Sequence, residues 1–129
     1  MQGPAGYAFN RTRRICLASH LLVADTYWSR LAGLMAVDPA KFPDGRGLWI
    51  VPSHGVHTFA MRFPIDVAYL DDKKNIIYLA HNLKPWRVAP VSMKAASVIE
   101  LPENTLKTTG TIVGDEIEIT LGHPVPNLA

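Results

Sequence analysis

Glycine (9 residues) and proline (10) are scattered through the 129-residue chain rather than gathered in one linker, so turns punctuate it from end to end. Between those turns the apolar pattern is mostly that of strands. From Arg14 to Ala24 the odd positions Ile15, Leu17, Leu21 and Val23 are apolar, broken by Ser19, which predicts one long strand or two short ones. Leu48 to Val51 predicts a short buried strand. Ile65 to Asp71 and Ile76 to His81, joined by Asp72-Lys73-Lys74-Asn75, predict a hairpin. Ser97 to Leu101 predicts a strand ended by Pro102, and Glu103 to Thr109 has room for one helical turn. The last strand alternates, with Ile117, Ile119 and Leu121 on one face and Glu116, Glu118 and Thr120 on the other.

One short helix is expected near residues 26–35. Asp25 or Thr26 can cap it, since their side-chain oxygens accept from free first-turn amides. Trp28, Leu31, Ala32 and Met35 then fall at spacings of three and four, predicting a buried stripe. Gly33 costs about 1 kcal/mol relative to alanine inside a helix, which points to close packing there. The fold class is therefore α+β, mostly antiparallel β, in a small barrel-like or sandwich-like form that protects its edges. Residues 1–12 are expected to be a flexible N-terminal segment, 13–122 a single β-rich domain and 123–129 a C-terminal tail.

The hydrophobic class makes up 48% of the chain and the charged class 19%, which excludes a disordered polyelectrolyte. Thirteen basic against 11 acidic residues leave a net charge of +2. The basic cluster Arg11, Arg13, Arg14 has no interleaved glycine or aromatic, so no nucleic-acid partner is expected. The single cysteine, Cys16, excludes an intrachain disulfide; between Ile15 and Leu17 it reads as a buried, inert thiol. Apolar runs such as Ile76 to Ala80 stop at five residues, against the ~20 of a membrane helix, so no membrane partner is expected. Met1 to Phe9 lacks the basic-then-apolar pattern of a secretory leader, and the expected compartment is the cytoplasm.

Polar groups crowd into one otherwise apolar stretch, residues 53–71. His54 and His57 are followed by Thr58, Met61, Arg62 and Asp66. Asp66 falls on the same face of its strand as Ala68 and Leu70. A bare carboxylate there would cost several kcal/mol or be forced to protonate. Arg62, His57 and Arg87 are the side chains expected to partner it.

The run from His57 to Asp71, HTFAMRFPIDVAYLD, strongly resembles the signature of the family known as domain of unknown function 192. Arg30-Leu-Ala-Gly-Leu-Met35, Gly47-Leu-Trp-Ile50, Pro85-Trp-Arg87, Val98-Ile-Glu-Leu-Pro102 and Gly110-Thr-Ile-Val-Gly-Asp115 agree with it in order. The resemblance covers residues 13 to 121 and implies no established activity. Many members look exported or lipid-anchored. Ser53 stands where some relatives carry cysteine, which argues against a thiol chemistry shared across the family.

His54 and His57 with Asp66 or Glu100 offer ligand types that zinc accepts, and Met61 invites copper. A loop H-x-x-H without a second pair favours instead a histidine hydrogen-bonded to Asp66, so no metal and no cofactor are expected. Asp66 and Glu100 are the available paired carboxylates, at an unknown separation. Ser53, His57 and Asp66 include the residue types of a triad, but Ser53 lacks the glycine-flanked elbow. No phosphate-binding glycine motif is present.

Trp49, Phe59, Trp86, Arg62 and Arg87 supply aromatic faces and guanidinium forks. The leading expectation is a small-ligand or saccharide binding module with a pocket of His57, Thr58, Met61, Arg62 and Asp66, and with Trp86 and Arg87 at its mouth. Two other readings stand beside it. One is a small hydrolase or lyase with His57 as base oriented by Asp66. The other is a purely structural polar network that binds nothing.

Overall fold

Each apolar run between turns becomes a strand, and all the strands join one sheet. The computed structural model describes residues 6–122. In chain order β1 (Gly6–Asn10), β2 (Ile15–Ala24), β3 (Arg46–Ile50), β4 (Ile65–Leu70), β5 (Ile76–Leu83), β6 (Ser97–Pro102) and β7 (Ile117–Leu121) take the spatial order β5-β4-β6-β3-β2-β1-β7. Neighbours are antiparallel except β2 and β3, which run parallel. The sheet is thus mixed rather than wholly antiparallel. A parallel pair cannot be closed by a tight turn; here the crossover carries helix α1 (Tyr27–Ala32) and a 3-10 turn at Pro39–Lys41.

The two ends of the strand order approach each other. Asn75, before β5, bridges to Glu116, before β7. Ile76 N donates to the Asp115 carbonyl (2.8 Å) and Ile117 N to that of Lys74 (2.9 Å). The sheet therefore curls into a half-barrel whose edge strands meet at one corner, which protects edges that would otherwise pair with other chains. No helix among the described residues is long and apolar enough to cross a membrane.

Every residue of β4 and β6 is buried, so both faces of the sheet centre are covered. One face carries Leu48, Ile50, Val67, Tyr69 and Val98, packed with Leu34 and Met61. The other carries Leu21, Ala68, Leu70, Ile99 and Leu101, packed with Leu106 of helix α2 (Thr105–Thr109). Asp66 is paired with Leu101, whereas Glu100 is paired with Val67 and Leu48. Paired residues share a face and successive residues alternate, so these two acids point to opposite sides.

Two expectations are corrected here. The segment 1–12 is not a flexible flank throughout: β1 lies between β2 and β7, with Tyr7 and Ala8 buried. A Cβ on Gly6 would stand 2.0 Å from the Thr120 carbonyl oxygen, so only glycine admits this approach. Residues 1–5 and the tail 123–129 lie outside the described residues. The expected helical stripe is also displaced. Thr26 and Ser29 form a capping box, but α1 ends at Ala32 before Gly33, whose φ is +48°. Beyond that point helical spacing no longer applies. Trp28 is 74% exposed, Ala32 and Met35 are exposed, the Leu31 side chain lies outside what is described, and Leu34, not in the expected stripe, is buried.

Candidate functional site

Asp66 is fully buried, and its partners are not the expected imidazole or guanidinium groups. Its Oδ1 accepts from Asn82 N and its Oδ2 from Leu106 N, both at 2.9 Å. Both donors exist because of irregular backbone. The β4–β5 register shifts between the Ile65–Leu83 and Val67–Ala80 pairs, and Asn82 in that bulge has a φ of 50°. The N-cap of α2, Asn104, makes no side-chain cap bond, so the Leu106 amide in the first turn is an orphan that Asp66 satisfies from the sheet. This carboxylate is part of the scaffold.

Thr58 is also structural. Its buried hydroxyl donates to the Lys84 carbonyl (2.6 Å) and accepts from Arg87 N (2.8 Å). Backbone bonds from Thr58 N to Arg87 O and from Trp86 N to Thr58 O complete the knot. The 51–64 and 84–96 loops are thereby joined, and the Tyr69 hydroxyl anchors the second of them through Pro90 O. Arg62 and Arg87 are exposed. His57, Phe59 and Trp86 form a short run of rings, with centroids 5.0 Å and then 6.1 Å apart. Trp86, 64% exposed, is at its outer end.

His57 Nδ1 accepts from Phe59 N at 3.2 Å. A ring nitrogen that accepts carries no proton, so the neutral imidazole keeps its proton on Nε2. Asp66 therefore does not orient His57. Ser53 Oγ donates to the Gly55 carbonyl (2.7 Å), so the triad types do not assemble either. His54 Nδ1 is engaged by the Ala95 carbonyl at 2.8 Å. Among the described residues no three His, Cys, Asp or Glu side chains converge as a metal site. Cys16 is half-buried and burial pushes its thiol pKa up. Arg11 and Arg13 pair with Glu116 and Asp115.

What does converge is a cavity of about 230 Å³ between the end of α1, the 51–64 loop and β6. Arg30, Gly33, Ser53, His57, Met61 and Glu100 contribute to its wall. Of the expected pocket residues, His57 and Met61 are there; Thr58, Arg62, Asp66, Trp86 and Arg87 are not. Glu100 is 2% exposed, and its Oε2 has no hydrogen-bond partner. Burial alone pushes its pKa up to about 8. The carboxyl is therefore protonated at neutral pH. Gly33 makes the room: a Cβ there would stand 3.3 Å from Glu100 Oε1. The sequence signal for Glu100 is the same as for Asp66, one acid in an apolar strand, which by itself suggests a metal ligand or half of a carboxylate pair rather than an unpaired buried group.

A family model described as Uncharacterized ACR, domain of unknown function 192, matches residues 9–119. A UPF0127 protein of Pyrococcus abyssi is 29% identical over 119 residues, covering 88% of this chain and 97% of the relative. One from Thermococcus sibiricus is 28% identical over 114 residues, covering 84% and 71%. Among solved structures, a protein of unknown function from Novosphingobium aromaticivorans superposes with TM-score 0.74 at 17% identity, covering 88% of this chain and 83% of that one. Another from Sinorhizobium meliloti, provisionally described as a transcription regulator, gives 0.75 at 19%, covering 92% and 97%. At such identities these two likenesses establish the fold alone.

Proposed function

Since the chain belongs to the domain of unknown function 192 family, whose description assigns no activity, we propose a function from its cavity: a small-ligand binding module, saccharides included, with Glu100 at the floor of the site. His57 and Met61 are in its wall. The Phe59 and Trp86 rings continue outward from His57 and offer faces on which the apolar side of a sugar ring can stack.

The unpartnered Glu100 carboxyl carries this reading. A buried polar atom left unpaired costs about 1–3 kcal/mol, and native folds remove nearly all such atoms. Here Glu100 lines a cavity, so a ligand seated against its carboxyl can supply a hydrogen bond the fold does not. The cavity is smaller than the ~300–1,000 Å³ of sites for drug-sized molecules, which favours a ligand of monosaccharide size or less. The catalytic alternative loses its support because His57 has no contact with Asp66. The structural alternative describes Asp66 and Thr58, whose bonds are all within the chain, but not Glu100.

A thermal-shift screen of small polar metabolites against wild type and Glu100→Leu tests the proposal. A ligand at about 100 times its Kd adds about 2.7 kcal/mol of stability. A ligand that raises the wild-type Tm and leaves the variant unmoved supports the site. Equal shifts in both proteins, or no shift with any compound, refute it.

A further inference from the structure

Resting on the small-ligand reading above, the charged and acidic groups of the wall narrow the ligand's chemistry. Glu100 is the one acid in the lining and Arg30 the one permanent cation. Arg30 is one turn before Gly33 on α1, half-buried, and forms no ion pair among the described residues. A neutral carboxyl both donates and accepts, the pattern that suits a hydroxyl. A guanidinium fork suits a carboxylate, and one fork balances one negative charge. An ammonium group on the ligand would instead place a second cation in the same small space as Arg30.

We propose that the cavity takes a small hydroxylated carboxylate, of the hydroxy-acid or sugar-acid class, with its carboxylate on Arg30 and a hydroxyl on Glu100. Specificity against neutral sugars then resides in Arg30, and recognition of the hydroxyl in Glu100. The Phe59 and Trp86 rings outside are left for whatever extends beyond the cavity.

Calorimetric titration of the whole chain with D-glucuronate, D-glucose and D-glucosamine tests this, since the three share a pyranose skeleton and differ in charge. A hydrogen-bonded charge contact at a half-buried arginine corresponds to roughly ten-fold in affinity. Glucuronate should bind about ten-fold more tightly than glucose, and glucosamine most weakly. Arg30→Gln should erase the preference for glucuronate and leave glucose binding in place. Ala32→Trp, which puts a bulky ring at an exposed lining position of α1, should abolish binding of all three. Glucosamine binding best, or a preference for glucuronate that survives Arg30→Gln, overturns the assigned class; if that binding is lost in Ala32→Trp, the cavity reading still stands. Binding that ignores Ala32→Trp overturns both. Absence of binding by all three overturns the class and leaves the cavity to the wider screen.

Discussion

Asp66 and Glu100 occupy adjacent strands, each a lone acid in an apolar run, yet they have opposite fates. Asp66 faces α2 and finds two backbone amides, so both its oxygens are bonded within the scaffold. Glu100 faces α1 and the 51–64 loop and finds a cavity, with one oxygen unpaired and its proton retained. A buried acid is therefore not in itself a sign of function. The question that separates the two is where each carboxyl's hydrogen bonds go.

The largest effect expected from breaking this contrast is at Asp66. Asp66→Ala leaves the buried Leu106 amide and the part-buried Asn82 amide without their acceptor and should cost about 2–6 kcal/mol, at 1–3 kcal/mol for each donor, read by urea unfolding. A loss below about 1 kcal/mol would mean that these bonds do not hold the scaffold.

Glu100 should behave in the opposite sense. Its folded pKa, about 8, is above its ordinary value of 4.5, so the folded state binds the extra proton. Stability from this group therefore falls as pH rises from about 4.5 to 8 and levels off above that. Glu100→Gln, neutral at every pH, should raise stability by a few kcal/mol at pH 8 and change it little near pH 4, on the order set by a shift of that size. Unfolding curves of the two proteins that stay parallel across that range would contradict the assignment. Asp115 gives the reverse slope. Burial works to raise its pKa, but hydrogen bonds from Asn10, Ile112 N and Arg13, with Arg13's charge, outweigh burial and hold it below the usual range. Its contribution is present above the ordinary value of 3.8 and is lost as pH falls through the lower folded pKa.

Smaller effects sharpen the contrast between the knotted loops and the exposed rings. Thr58→Val removes the hydroxyl that serves Arg87 N and should cost about 1–3 kcal/mol in chemical denaturation. Trp86→Ala, at an exposed ring, should change stability by less than about 1 kcal/mol. A large loss there would make Trp86 part of the core rather than an outer face.

Much of this was readable before the structure, and for physical reasons. The alternation in 117–121, the 65–83 hairpin and the Thr26 cap are local patterns, and each appears where its periodicity places it. Gly33 was expected to mark close packing, and its missing Cβ does make room for Glu100. What failed was non-local. Strand β1 is five residues whose partners β2 and β7 differ widely in sequence position, so nothing within GYAFN announces it. The parallel β2–β3 pair depends on a crossover rather than on a residue pattern. The strand pattern turns Asp66 inward, as observed, and points to charged side chains as its partners, whereas a bulge and a helix start supply backbone donors. Glu100 gives the same local signal as Asp66, and only the topology that turns the two to opposite faces distinguishes them.

The most direct measurement is an NMR titration of the Glu100 side-chain carboxyl carbon, assigned by its disappearance in Glu100→Gln. A midpoint near pH 8 is the predicted result. A midpoint below about 5, in the ordinary carboxylate range, would mean that the group is already solvated or paired and would remove the basis for the site.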